Sequence, residues 1–141
     1  MLWIRLRQKT DQKESNRFKY LNKRVIGNTN EDLACNYLKE HGCRILERNF
    51  RCKLGEIDII ARDGPYLCFI EVKYRKDNSF GAPQEAVNYS KRRRISSVSR
   101  FYLYSKKISF DSPIRYDVIA VCASEGMLTF EWIKNAFDYC N

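Results

Sequence analysis

Apolar residues recur along the chain with two different periods. From Thr29 onward, Leu33, Ala34, Tyr37 and Leu38 fall at helical spacing, opened by a capping-box-like Thr29-x-x-Asp32 and stopped by Gly42. That pattern predicts a short amphipathic helix. Segments at residues 43–51, 56–62 and 66–75 follow, each rich in Ile, Val, Leu or aromatic residues. Lys53-Leu54-Gly55 and Asp63-Gly64-Pro65 separate them with turn signals, so they read as a meander of strands. After Gly81-Ala82-Pro83, the residues Val87, Ile95, Val98 and Tyr102 mark one face of a longer helix. Residues 114–122 are dense enough in β-branched side chains for a central strand, and residues 127–132 form a last one beyond a Glu125-Gly126 turn. The order α-β-β-β-α-β-β predicts an α/β fold, a sheet flanked by helices.

A length of 141 residues fits one core, and 44% hydrophobic with 13% aromatic residues is enough to fill it. Residues 1–20 lack apolar periodicity and read as a basic leader outside the fold, leaving residues 21–141 as a single domain. With a core starting near Leu21-Asn22-Lys23-Arg24, the leader is either an upstream-start artefact or a basic arm. The longest apolar run, residues 118–123, is far short of the roughly 20 residues that span a bilayer. No secretory h-region opens the chain, so a cytoplasmic protein without a membrane is expected. The six cysteines form no Cys-x-x-Cys pair, and His41 is the one histidine, so zinc is disfavoured and buried free thiols are expected. His41 itself, before Gly42, suits a helix end, where an imidazole caps carbonyls.

The net charge of +9 is uneven: residues 1–26 carry +6, residues 91–107 carry +7, and the remainder sums to −4. A mildly acidic body with two basic regions is an electrostatic footprint for a polyanion such as nucleic acid. Lys91, Arg92, Arg93, Arg94 and Arg100 are the candidate contacts, with a solubilising helix face as the alternative.

Two predicted strands hold charges where apolar residues belong, in Gly55-Glu56-Ile57-Asp58-Ile59-Ile60 and Phe69-Ile70-Glu71-Val72-Lys73. Buried charge is costly without a partner or metal. Alternation puts Glu71 and Lys73 on one face, and a hairpin with Asp63-Gly64 as its loop places Asp58 opposite Phe69, beside Glu71 on that face. Hard oxygen ligands in this arrangement suit Mg²⁺ or Mn²⁺, and a nearby lysine orients water or stabilises developing charge. Metal-assisted phosphodiester hydrolysis is the reaction class this suggests. Glu-x-Lys alone is a weak motif, and a structural ion pair is its bland reading.

The blocks Gly27-x-x-x-Glu31-Asp32-Leu33-Ala34, Arg48-Asn49-Phe50-Arg51, Gly55-Glu56-Ile57-Asp58-Ile59-Ile60, Phe69-Ile70-Glu71-Val72-Lys73-x-Arg75, Phe80-Gly81, Lys91-x-x-x-Ile95 and Arg115-Tyr116-Asp117-Val118-Ile119 occur in this order. Together they resemble the YraN family, an endonuclease-like bacterial group within the PD-(D/E)XK nuclease-like superfamily, similar in fold to archaeal Holliday-junction resolvases. The resemblance covers residues 21–138. It implies a restriction-endonuclease-like mixed sheet, with Asp58 and Glu71 as metal ligands, Lys73 as the site lysine and Glu31 as the helix carboxylate that completes the site. Glu31 borders the buried stripe of its helix, although a first-turn Glu also suits the helix dipole. Lys91 lies nearer the sheet than Arg92 or Arg93 and fits a phosphate contact. Glu56 flanks the site, and Asp117 reads as structural. Asn30 departs from the glycine that often precedes the helix Glu.

The expectation is an Mg²⁺- or Mn²⁺-dependent endonuclease on DNA, branched DNA by analogy with the resolvases, working as a twofold homodimer where both strands are cut. A nucleic-acid-binding module with an inactive or partner-dependent site is the alternative, and a scaffold with an incidental ion pair is a third.

Overall fold

The computed structural model describes residues 23–76 and 87–141. In chain order these form α1 (Lys23–Glu40), β1 (Arg44–Cys52), β2 (Gly55–Asp63), β3 (Tyr66–Arg75), α2 (Tyr89–Ser105), β4 (Ile114–Ser124) and β5 (Met127–Phe137). The predicted α/β order α-β-β-β-α-β-β is the observed one. The strands make one five-stranded sheet in sequence order, antiparallel throughout except where β3 runs parallel to β4. A parallel pair needs a long crossover, and α2 lies in that connection. The basic leader proposed for residues 1–20 lies outside the described residues, as do Phe80, Gly81 and Pro83.

Each sheet face carries its own core. On the α2 side Ile60, Leu67, Phe69, Ile95, Val98, Tyr102 and Val118 pack together, and Phe69, Tyr116 and Phe137 stack in a row at 5.8 and 5.1 Å. Ser99 binds the Tyr116 hydroxyl at 2.7 Å, so the one polar tip in this row is satisfied. On the α1 side Ala34, Cys35 and Leu38 pack on Ile59, Ala61, Cys68, Ile70, Ile119 and Val121. All six cysteines are free thiols, and Cys35, Cys43, Cys68 and Cys122 are buried. His41 Nδ1 donates to the Tyr37 carbonyl at 2.8 Å at the end of α1. No helix among the described residues is long and apolar enough to cross a membrane.

Several boundaries differ from the sequence expectation. The first helix already includes Lys23, so Thr29 lies inside it and not at its start; Asp32 pairs with Arg48 of β1 at 2.5 Å. Periodicity identifies a buried face, not its starting turn. The β2–β3 loop is Gly64-Pro65, with Asp63 paired to Tyr66. Gly64 supplies the positive φ of +56° at the first loop position and the proline ring fixes the second, as a Gly-first hairpin turn requires. Helix α2 starts beyond Val87, where the Asn88 side chain accepts the Lys91 N–H at 2.9 Å. Strand β5 runs on past Trp132 to Phe137, through a register shift at Tyr116/Val118 and a left-handed Asn135 at φ +53°.

That shift is stabilised by Asp117, which is fully buried. Its carboxylate accepts from Arg115 Nε at 2.9 Å, Trp132 Nε1 at 2.9 Å and the Asn135 N–H at 2.9 Å, while Arg115 also reaches Asp63 at 2.8 Å. The structural role read for Asp117 fits this network. Removing one member of a buried pair strands the other, so Asp117→Ala should destabilise the fold by about 3 kcal/mol in urea titrations. A cost below about 1 kcal/mol would mean the network contributes little.

Candidate active site

The β2–β3 ladder runs from Asp63–Tyr66 to Ile59–Ile70. One step further, Asp58 falls opposite Glu71 instead of Phe69, because the loop shift moves the register by two residues and leaves the faces unchanged. There the Asp58 carboxylate takes up a backbone donor of the next strand: Oδ2 accepts the Val72 N–H at 2.9 Å. On the other side Asn49 of β1 sits across from Asp58, between the pairs Arg48–Ile59 and Phe50–Ile57, with a left-handed φ of +51°. Alternation breaks at this point. Ile57 belongs to the α2-side core and Ile59 to the α1-side core, although they are two residues apart. Both helices bear on Asp58 through charge: Asp58 raises Glu31 of α1, and Lys91 of α2 favours the ionised form of Asp58.

Glu71 is 6% exposed. Its Oε1 lies 3.7 Å from Lys73 Nζ and 3.4 Å from Lys91 Nζ, whereas its Oε2 is buried with no hydrogen-bond partner. Burial pushes Glu71 up to about 7; the charge of Asp58 adds to the rise and Lys91 and Lys73 oppose it. Two ammonium groups nearby do not offset the loss of water, so desolvation decides the direction. Asp58 is raised by burial against the Val72 N–H, which favours its ionised form. Glu31 is raised by burial and then by Asp58, with the Asn49 amide holding its side chain, and Glu31 Oε2 is also buried without a partner. Glu56 pairs with Arg51 at 2.8 Å on the rim and adds to the negative field.

This donor set suits a hard divalent cation. Its atoms are carboxylate oxygens, two of them buried and unpartnered, in a place where extra negative charge is already resisted. Among the described residues no three acidic, cysteine or histidine side chains are gathered into a complete metal cage. Mg²⁺ needs none, since it retains several waters and is held by one or two carboxylates.

The basic run is divided by the turn of about 100° per residue in a helix. Lys91 and Arg94 line an open groove of about 460 Å³ with Arg51, Cys52, Gly55 and Glu56. The stem of Arg94 lies against Gly55, where an added Cβ would meet Arg94 Cγ at 2.7 Å and the backbone has φ +143°. Glycine is what lets strand and arginine approach. Arg92 points elsewhere: its Nε donates to the Val87 carbonyl at 2.8 Å and its guanidinium lies 5.6 Å from the Phe137 ring. Arg93 covers Tyr89 at 5.9 Å, and Arg100 lies between Phe110 and Tyr139 at 5.1 and 5.8 Å, lining a separate apolar pocket. Asn49, Gly55 and Arg51 are site residues that the sequence reading did not single out. An Asn inside a strand pattern was the available signal, since Asn tolerates left-handed backbone and is poor in strands.

Fold and site together define an α/β domain with a buried carboxylate–lysine cluster where two strands of its sheet part. The model of Uncharacterised protein family UPF0102 matches residues 30–121. A UPF0102 protein of Lachnoclostridium phytofermentans is 48% identical over 118 residues, covering 84% of this chain and 97% of its own. One from Clostridium kluyveri is 47% identical over 114 residues, covering 79% and 93%, and one from Legionella pneumophila 43% over 108, covering 77% and 90%. The chain belongs to the UPF0102 family, which is the YraN family. The crystal structure of SSO0001 is more distant, at 17% identity and a TM-score of 0.41, with 96% of this chain and 64% of that one covered.

A carboxyl raised on folding stabilises the fold below its unfolded value and loses that contribution as pH climbs through its folded one. Stability should therefore fall as pH rises from 4.5 past about 7 on account of Glu71. Glu71→Gln should flatten that fall in denaturation curves at pH 5 and pH 8; an unchanged slope would mean that Glu71 does not carry it.

Proposed function

We propose that this protein is a divalent-metal-dependent phosphodiesterase of the endodeoxyribonuclease type, with a PD-(D/E)XK-like site. The observation that carries the reading is the buried, unpartnered Oε2 of Glu71, whose other oxygen faces the Lys73 and Lys91 ammonium groups, with a second such oxygen on Glu31, whose ionisation the charge of Asp58 opposes. Asp58 and Glu71 would hold the cation, with Glu31 reaching the site from α1. When bound, Mg²⁺ or Mn²⁺ supplies a water of lowered pKa and a positive charge for the phosphoryl oxygens. The chain's own groups do the positioning. The Val72 N–H fixes one oxygen of Asp58, and Lys73 holds a positive charge two residues from Glu71 on the same strand, where developing phosphoryl charge is stabilised. Lys91, Arg94 and Arg51 line the neighbouring groove, where flanking phosphates are held.

The absence of a complete cage among the described residues favours a second reading, a nucleic-acid-binding module whose site is inactive or completed by a partner. A cleavage panel of single-stranded, duplex, flap and four-way DNA with Mg²⁺ or Mn²⁺ separates the two. Divalent-dependent cleavage is expected, reduced about 10²-fold or more by Asp58→Asn or Lys73→Met with DNA binding retained. Salt-sensitive binding with every substrate left intact would select the binding module.

A further inference from the structure

Lys91 belongs to two neighbouring features at once. Its ammonium lies 3.4 Å from Glu71 Oε1, inside the carboxylate cluster, and its side chain also lines the groove formed with Arg51, Gly55, Glu56 and Arg94. We propose that Lys91 is an exchangeable counterion, neutralising Glu71 while the cluster lacks a cation and turning to a nucleic-acid phosphate in the groove when a divalent cation engages Glu71. The inference rests on the metal-dependent reading and deepens it, since it makes cation and phosphate binding mutually dependent.

The two oxygens of Glu71 have different environments. Oε1 carries both ammonium groups, and Oε2 is buried and unpartnered. A divalent cation taken up through Oε2 and Asp58 brings two positive charges close to Lys73 and Lys91, and like charges a few ångströms apart repel strongly where water is scarce. Lys73 rides on β3, paired to Ala120 of β4, shares a strand face with Glu71 and does not line the groove. Lys91 has a choice. It sits in the first turn of α2, and a long flexible stem connects it to both the cluster and the groove.

Its own helix offers it no compensation. A cation in a helix's first turn opposes the dipole, no acidic residue occupies that turn, and Arg92, Arg93 and Arg94 follow directly. Glu71 offsets this charge in the cation-free site. Once Glu71 is engaged, an anion in the groove is the replacement that satisfies Lys91 and Arg94 together. Because linkage is reciprocal, phosphate binding that draws Lys91 away must strengthen cation binding by the same factor.

The test uses the full chain, Mn²⁺ by calorimetry, and a fluorescent oligonucleotide by anisotropy with and without Ca²⁺. Without oligonucleotide, Lys91→Met should bind Mn²⁺ about 5-fold or more tighter than the parent protein, while Lys91→Arg keeps the parental affinity. In the parent protein Ca²⁺ should tighten oligonucleotide binding about 5-fold or more, and this factor should fall to near one in Lys91→Met. Arg94→Gln should instead weaken binding by a similar factor with and without Ca²⁺. Equal Mn²⁺ affinity of the parent and Lys91→Met proteins overturns the counterion role, even where cleavage or DNA binding persists. Failure of both proteins to bind Mn²⁺ removes the metal-dependent reading, and the coupling with it.

Discussion

The burial of the Glu71 carboxylate beside Asp58 is the constraint that organises this end of the sheet. A carboxylate taken out of water must gain a counter-charge, give up its ionisation, or acquire a ligand. Glu71 has part of the first, with two ammonium groups on one oxygen, and part of the second, with its protonation drawn up to about 7. Its other oxygen is left over. A site built only for stability would replace this arrangement with apolar side chains, which pack at no electrostatic cost. On the proposed reading an additional cation and an anionic substrate complete the charge balance of Asp58, Glu71 and the two lysines.

The surrounding structure is shaped to hold these groups at one place. The β2–β3 ladder ends at Ile59–Ile70, and the Asp58 side chain then binds the Val72 N–H, so an incomplete hydrogen-bond pattern becomes a way of fixing a site residue. Asn49 answers the same break from β1 with its left-handed backbone and holds Glu31 through its amide. Gly55 admits the Arg94 stem, and the Asn88 cap sets the start of α2 so that Lys91 meets Glu71. On the adjacent strand, where Asp117 pairs with Ile70, the buried Asp117–Arg115 network stabilises the β4–β5 irregularity, a structural use of charge beside the candidate site.

Much of this was legible because two periods survive in the sequence. Ile57, Ile59 and Ile60 among charged residues mark β2, and Ile95, Val98 and Tyr102 mark the buried face of α2. The convergence of Asp58, Glu71 and Lys73 followed from strand parity, though by a register that the Gly64-Pro65 turn corrects by two residues. Parity could not reveal the break at Asp58, because strict alternation assumes a regular strand and the irregularity lies in the backbone of Asn49. Nor could the composition of the Lys91–Arg94 run show that Arg92 is held by the Val87 carbonyl, since that depends on where Asn88 starts the helix.

The most direct measurement is anomalous diffraction from crystals grown with Mn²⁺. A divalent site at the strand break predicts a manganese peak about 2 Å from oxygens of Asp58 and Glu71, with Glu31 oriented toward its waters and Lys91 withdrawn from Glu71. Crystals with no peak at these carboxylates, at Mn²⁺ concentrations that occupy other acidic surface positions, would show the cluster to be a buried ion-pair network and contradict its reading as a metal-dependent site.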